Sequence, residues 1–141
     1  MNPYSAYAAA TMMTDEHDKG KILLTVLETL TRKIEEVKML IAQKKYEKKC
    51  VELTRIVQTI QVLDASLDMS LGEIPKNLSF LYGYLMRRLQ EVHASLDIST
   101  LDECKSILAT ISEGFTEAYR TVKRRTRPAA AAETRSLRRT V

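Results

Sequence analysis

The sequence predicts an all-α protein: an antiparallel up-down-up-down four-helix bundle with an N-terminal arm and a disordered basic C-terminal tail. Three observations lead there. Apolar side chains recur every three or four residues along four long stretches, the period of a helix with one buried face. Four glycines and three prolines in 141 residues are too few turn signals for a β-sandwich or barrel. The polar links between the stretches are short, and short links fold consecutive helices back on one another. A chain of this length fills one core, and 45% apolar with 28% charged residues is a globular balance.

The elements follow in order. Residues 1–13 lack clear periodicity and read as an arm with Tyr4 and Tyr7 outside any helix. Residues 14–122 are the bundle. Its first helix runs from Asp15 to Gln43, with Thr14 as N-cap, Asp15 and Glu16 in the first turn, and a stripe from Ile22 to Ile41. The second runs from Tyr46 to Leu67 on Tyr46, Cys50, Leu53, Ile56, Val57, Ile60, Leu63 and Leu67. The third follows a break at Leu71-Gly72, with Ser70-x-x-Glu73 as a capping box, Pro75 in the first turn, and Leu78, Leu81, Tyr82, Leu85, Leu89 and Val92 facing inward. The fourth opens at a second capping box, Thr100-x-x-Glu103, and Pro128 marks its latest end. Four helices of about 20 residues, each about 30 Å long, make the bundle. Residues 123–141 read as a fraying helix end and a disordered Ala/Arg tail.

The net charge of +4 is a property of the tail. Residues 123–141 hold seven Lys/Arg against Glu133 alone, leaving 15 basic and 17 acidic side chains in residues 1–122. Two cysteines, Cys50 and Cys104, are no disulfide framework; both fall on apolar stripes and read as buried free thiols. The start has neither a basic n-region nor a continuous apolar core, and no apolar run approaches the roughly 20 residues of a membrane span. A cytosolic protein is expected. Catalysis finds no support: His17 and His93 lie in no Glu-x-x-His pair, and Walker, nucleophile-elbow and Cys-x-x-Cys motifs are absent. His93 reads as a helix cap or surface residue, and Arg87-Arg88 as a solvated or ion-paired patch. No cofactor or metal is expected.

The third helix carries more apolar surface than a bundle needs. Phe80 and Tyr84, an i, i+4 pair, lie more than about 90° from the centre of its inward stripe. Met86 sits on the opposite flank. Ile56, Leu63 and Leu67 extend one edge of the second helix. Such a surplus either covers a loop or the arm, or forms a groove for an amphipathic partner helix.

The stretch LDASLDMSLGEIPKNLSFLYGYLMRRL (Leu63–Leu89) closely resembles the flagellar secretion chaperones of the FliS family, and MNPYSAY resembles that family's Asn-Pro-Tyr-x-x-Tyr opening. The matching pieces are Leu67-Asp68, Ile74, Asn77-Leu78, Leu81-Tyr82-x-Tyr84 and Arg87-Arg88-Leu89, and the resemblance covers residues 1–122. It implies an antiparallel four-helix bundle that binds without catalysing. The implied client is the disordered C-terminal segment of flagellin, held export-competent in the bacterial cytosol and kept from premature polymerisation. Client contacts are expected from the surplus apolar surface: Ile56, Leu63, Leu67, Ile74, Leu78, Phe80, Leu81, Tyr82, Tyr84 and Leu85. The arm, through Tyr4 and Tyr7, is expected to cover the groove and move aside. The resemblance also suggests the flagellar type III export gate as a second partner. Open grooves leave a homodimer open.

The alternative is a helical interaction module whose basic tail binds nucleic acid or another acidic surface. Seven cations can neutralise several phosphates, but no aromatic residue is interleaved for base stacking, which disfavours specific recognition.

Overall fold

The computed structural model describes the backbone of residues 2–13 and 19–139 and the side chains of residues 2–12 and 19–124. It contains α1 (Pro3–Met13), α2 (Lys19–Ala42), α3 (Tyr46–Ala65), a 3-10 turn (Met69–Leu71), α4 (Glu73–Ser95) and α5 (Ile98–Arg139), with no strand among the described residues. The four helices expected from periodicity are α2 to α5. Each packs on two of the others: α2 on α3 and α5, α4 on α3 and α5. The core lies inside this ring.

Burial follows the predicted spacing within the helices but not at two stripe starts, where Ile22 is 63% and Tyr46 43% exposed. Leu27, Leu30, Ile34 and Val37 of α2 are buried, as are Leu78, Tyr82, Leu85, Leu89 and Val92 of α4. Leu101, Cys104, Leu108, Ile111 and Phe115 do the same on α5. Each such side chain stabilises the fold by roughly 1.5–3 kcal/mol relative to exposure.

Two of the links turn left-handed on residues other than glycine. After α2, Lys44 adopts a left-handed φ of 58° while Lys45 N–H donates to the Leu40 carbonyl at 2.8 Å, closing a Schellman-type end. After α4, Leu96 does likewise at φ 56°, its N–H donating to the Val92 carbonyl at 3.1 Å. Gly72, at φ 95°, makes the break before α4 where an L side chain would be strained.

Several boundary expectations are corrected. The box at Ser70 does not cap α4: Gly72 is the N-cap, and the Ser70 N–H instead donates to the Asp68 carboxylate at 3.0 Å inside the 3-10 turn. The box at Thr100 is displaced by Asp97, whose carboxylate accepts from the Ser99 N–H at 2.9 Å and from the Thr100 hydroxyl at 3.3 Å. An Asx side chain reaches the second helical N–H better than a threonine three residues inside the helix. Thr14, Asp15, Glu16 and His17 lie outside the described residues. The arm is not extended chain, because α1 makes Tyr4 and Tyr7 helical. The backbone of α5 continues as helix to Arg139, where a disordered tail from residue 123 was expected. Alanine and arginine are strong helix formers, and Pro128 removes one backbone donor without ending the run.

The start of α3 is rotated from its expected register. Lys49 is buried to 3% exposure and Cys50 is exposed, the reverse of the stripe reading. The lysine stem packs inward while Nζ donates to the His93 carbonyl at 3.0 Å, near the C-terminus of α4 where the helix dipole favours a cation. Cys104 is buried as expected, and burial pushes its thiol pKa up to about 12.

Candidate functional site

The N-terminal helix defines the site. Asn2 is its N-cap, with Oδ1 accepting from the Tyr4 N–H at 2.9 Å. Pro3 occupies the first helical position, where its missing donor is of no consequence. The other end of the Asn2 amide donates to the Thr110 carbonyl of α5 at 2.6 Å. This approach requires Gly114, since a Cβ there would stand 2.5 Å from Asn2 Oδ1. The body of α1 packs mainly along α5 and also touches α4 and α2. Ala8 is fully buried and Tyr7 is 6% exposed.

Tyr7 ties this helix to the turn before α4: its hydroxyl accepts from the Asp68 N–H at 2.9 Å. Burial raises the Tyr7 phenol pKa, and the Asp68 bond partly opposes that rise. Tyr82 lies beneath, 1% exposed. Its ionisation is strongly suppressed by burial, with nearby Tyr7, Asp64 and Tyr4 adding to the effect. Asp64 Oδ1 is buried without a hydrogen-bond partner among the described residues. Farther along α1, the Met12 side chain rests against Gly20 of α2, where a Cβ would meet it at 3.0 Å.

The ten expected client residues separate by burial. Leu63, Leu78, Tyr82 and Leu85 sit in the core, and Ile56 is buried at the floor of a groove between α2 and α3. Leu67, Ile74, Leu81 and Tyr84 are half-buried. Phe80 is 75% exposed, the most open large apolar side chain among the described residues. The groove holds about 300 Å³ and is lined by Val26, Leu30 and Ile56 between threonines, with Glu52 paired to Lys33 and Arg55 at its edge. Thr25, Thr29 and Thr59 turn their hydroxyls back to their own helix carbonyls, at 2.8 to 2.9 Å. That leaves the groove wall mostly apolar.

Tyr84 does not pair freely with Phe80. Its hydroxyl donates to the Glu103 carboxylate across to α5, which raises the Tyr84 pKa. Arg88 pairs with Glu91 at 2.7 Å and approaches Glu103 at 3.5 Å. The Arg88–Glu91 pair lies within α4, so the Tyr84 bond and the longer Arg88–Glu103 approach are what link α4 to α5 here. Among the described residues, no group of three or more His, Cys, Asp or Glu side chains is placed to hold a metal ion. No helix among them is long and apolar enough to cross a membrane.

Sequence reasoning missed Asn2, Thr110, Gly114 and Asp68 as parts of the site. Asn2-Pro3 carries a helix-start signal, an N-cap residue followed by proline, that would have revealed α1. Gly114 inside an uninterrupted helical pattern marks a close approach. The Asp68 backbone donor has no signal in the sequence.

A ring of helices that buries an aromatic face beneath its own N-terminal helix, and keeps a second apolar groove open, is the arrangement of a binding scaffold. Residues 1–122 match the family model described as the flagellar protein FliS, and the chain belongs to that family. Family membership gives it a chaperone role in flagellar export. No curated protein matches the chain.

Proposed function

We propose that this chain is a four-helix-bundle export chaperone of the bacterial cytosol that binds the disordered C-terminal segment of flagellin and prevents premature polymerisation. The observation that carries this reading is α1, a short helix laid over Tyr82 and fastened by few polar ties, at Asn2 and Tyr7. A client helix that displaces α1 reaches the same apolar face. Leu67, Ile74, Phe80, Leu81 and Tyr84 offer contacts without core rearrangement, and the α2–α3 groove takes a further client segment over Ile56. The client orders as it binds, which keeps affinity moderate for the area buried and permits release. The type III export gate is proposed as the destination of the loaded chaperone.

The test is titration calorimetry with the flagellin C-terminal peptide, for the full chain and for a chain lacking residues 1–13. Helicity is followed by circular dichroism on mixing. Binding with a gain of helix, equal or tighter after deletion, supports the reading. No binding by either chain, or binding without added helix, refutes it.

A further inference from the structure

We propose that the C-terminal end of α5 docks this protein electrostatically on an anionic phospholipid surface; the purpose of docking rests on the export role proposed above. The backbone of α5 is helical to Arg139. At about 100° per residue, Arg120, Arg124, Arg127, Arg135 and Arg138 fall within an arc of about 80°, along about 27 Å of helix. The opposite side carries Ala129, Glu133 and Ser136, with Arg125 toward its edge and Lys123 and Arg139 flanking the strip. Toward the bundle the same face changes sign, because Glu113 and Glu117 line the surface depression that also contains Arg120 and Arg124.

Helix stabilisation alone does not explain the strip. Cations favour a helix dipole only in the last turn, and Arg120 to Arg127 lie three turns or more before Arg139. Arginine outnumbers lysine six to one in residues 123–141, and its planar fork matches phosphate oxygens. A strip of cations along one face of a helix presents them together to a charged plane. Single strands favour interleaved aromatics, and residues 120–139 contain none. The helix end is poor in large apolar residues, with Leu137 alone beyond Val122 up to Arg139, so contact is superficial and screened by salt. The acidic residues above the strip repel the same surface, which keeps the bundle clear of it.

The experiment is co-sedimentation of the full chain with phosphatidylcholine vesicles, with and without phosphatidylglycerol. Binding only to the anionic vesicles, weakened at least about tenfold between low and physiological salt, is expected. Two double variants remove equal charge: Arg135→Gln with Arg138→Gln on the strip, and Arg125→Gln with Arg139→Gln off it. The first pair should lose several times more affinity than the second, with unchanged thermal melting. Equal losses, or no binding to anionic vesicles, overturn the proposal. So does tighter binding of a single-stranded or duplex oligonucleotide than of vesicles at the same salt. Flagellin-peptide binding, measured on the same samples, should be unaffected by either pair; its absence in the parent chain would count against the export role alone.

Discussion

Replacing Gly114 by alanine should uncover the aromatic face without unfolding the bundle. The new Cβ would lie 2.5 Å from Asn2 Oδ1 and 2.8 Å from Asn2 Cγ, so the asparagine must swing away. Two bonds go with it, the cap on the Tyr4 N–H and the 2.6 Å bond to the Thr110 carbonyl. A lost N-cap is worth about 1 kcal/mol and a lost hydrogen bond about 1 kcal/mol, so docking of α1 weakens by about 2 kcal/mol. Within α5 the same substitution gains up to about 1 kcal/mol of helix propensity, which holds whether or not α1 is docked. Bundle stability therefore changes little while α1 loosens. If α1 competes with the client, 2 kcal/mol converts to as much as about 30-fold tighter apparent binding. Hydrogen exchange should show lower protection over residues 3–12, and calorimetry should show the tighter flagellin-peptide binding. Asn2→Ala should do the same from the other partner. Unchanged protection would refute the steric argument. Loosened α1 with weaker client binding would show that α1 grips the client rather than competing with it.

Four further outcomes are expected. Phe80→Ala should change stability by about 0.5 kcal/mol or less because the ring is exposed, whereas Leu85→Ala should cost about 2–5 kcal/mol; urea melts compare the two, and client binding should fall in the Phe80 variant. Lys49→Met should destabilise by about 1.5–3 kcal/mol by leaving the His93 carbonyl without its charged donor, which chemical denaturation measures. The Asp97 carboxyl is held below its usual value mainly by the Ser99 hydroxyl bond, so the stability it adds is complete above about pH 4 and is lost as pH falls through its lowered value. Asp97→Asn, an equally good cap, should leave the neutral-pH melting temperature nearly unchanged and flatten the acid limb. With a thiol reagent at neutral pH, Cys50 should react promptly and Cys104 only as the protein unfolds, its thiol being buried with a pKa near 12; two equally fast sites would contradict the fold.

The helical repeat was legible because burial on α2, α4 and α5 obeys one strict period, Leu78-Tyr82-Leu85-Leu89-Val92 being the clearest case. Boundaries were less so. Lys44 and Leu96 turn left-handed without glycine, and Asp97 caps from a position that the threonine motif obscured. Lys49 misled because a long side chain can bury its stem and still satisfy its charge on another helix's carbonyl. For the site, periodicity separated Phe80 from the inward stripe correctly, yet it did not reveal that Tyr84 is tied to Glu103. The hidden part depends on contacts between distant segments. Asn2 meets Thr110 and Tyr7 meets Asp68 across 108 and 61 residues of sequence, separations that no local pattern encodes.

The fastening of α1 at three separated points has a kinetic consequence. Asn2 is held at Thr110, Tyr7 at Asp68 and Met12 against Gly20, so no single event frees the whole helix. Where the client competes with α1, an incoming segment would seize a foothold where one tie opens briefly and advance as the next gives way, in the manner of branch migration. Exchange by that route is faster than full spontaneous detachment followed by capture. If α1 and a client compete for this face, the route also runs backwards, with the returning helix peeling off the departing cargo.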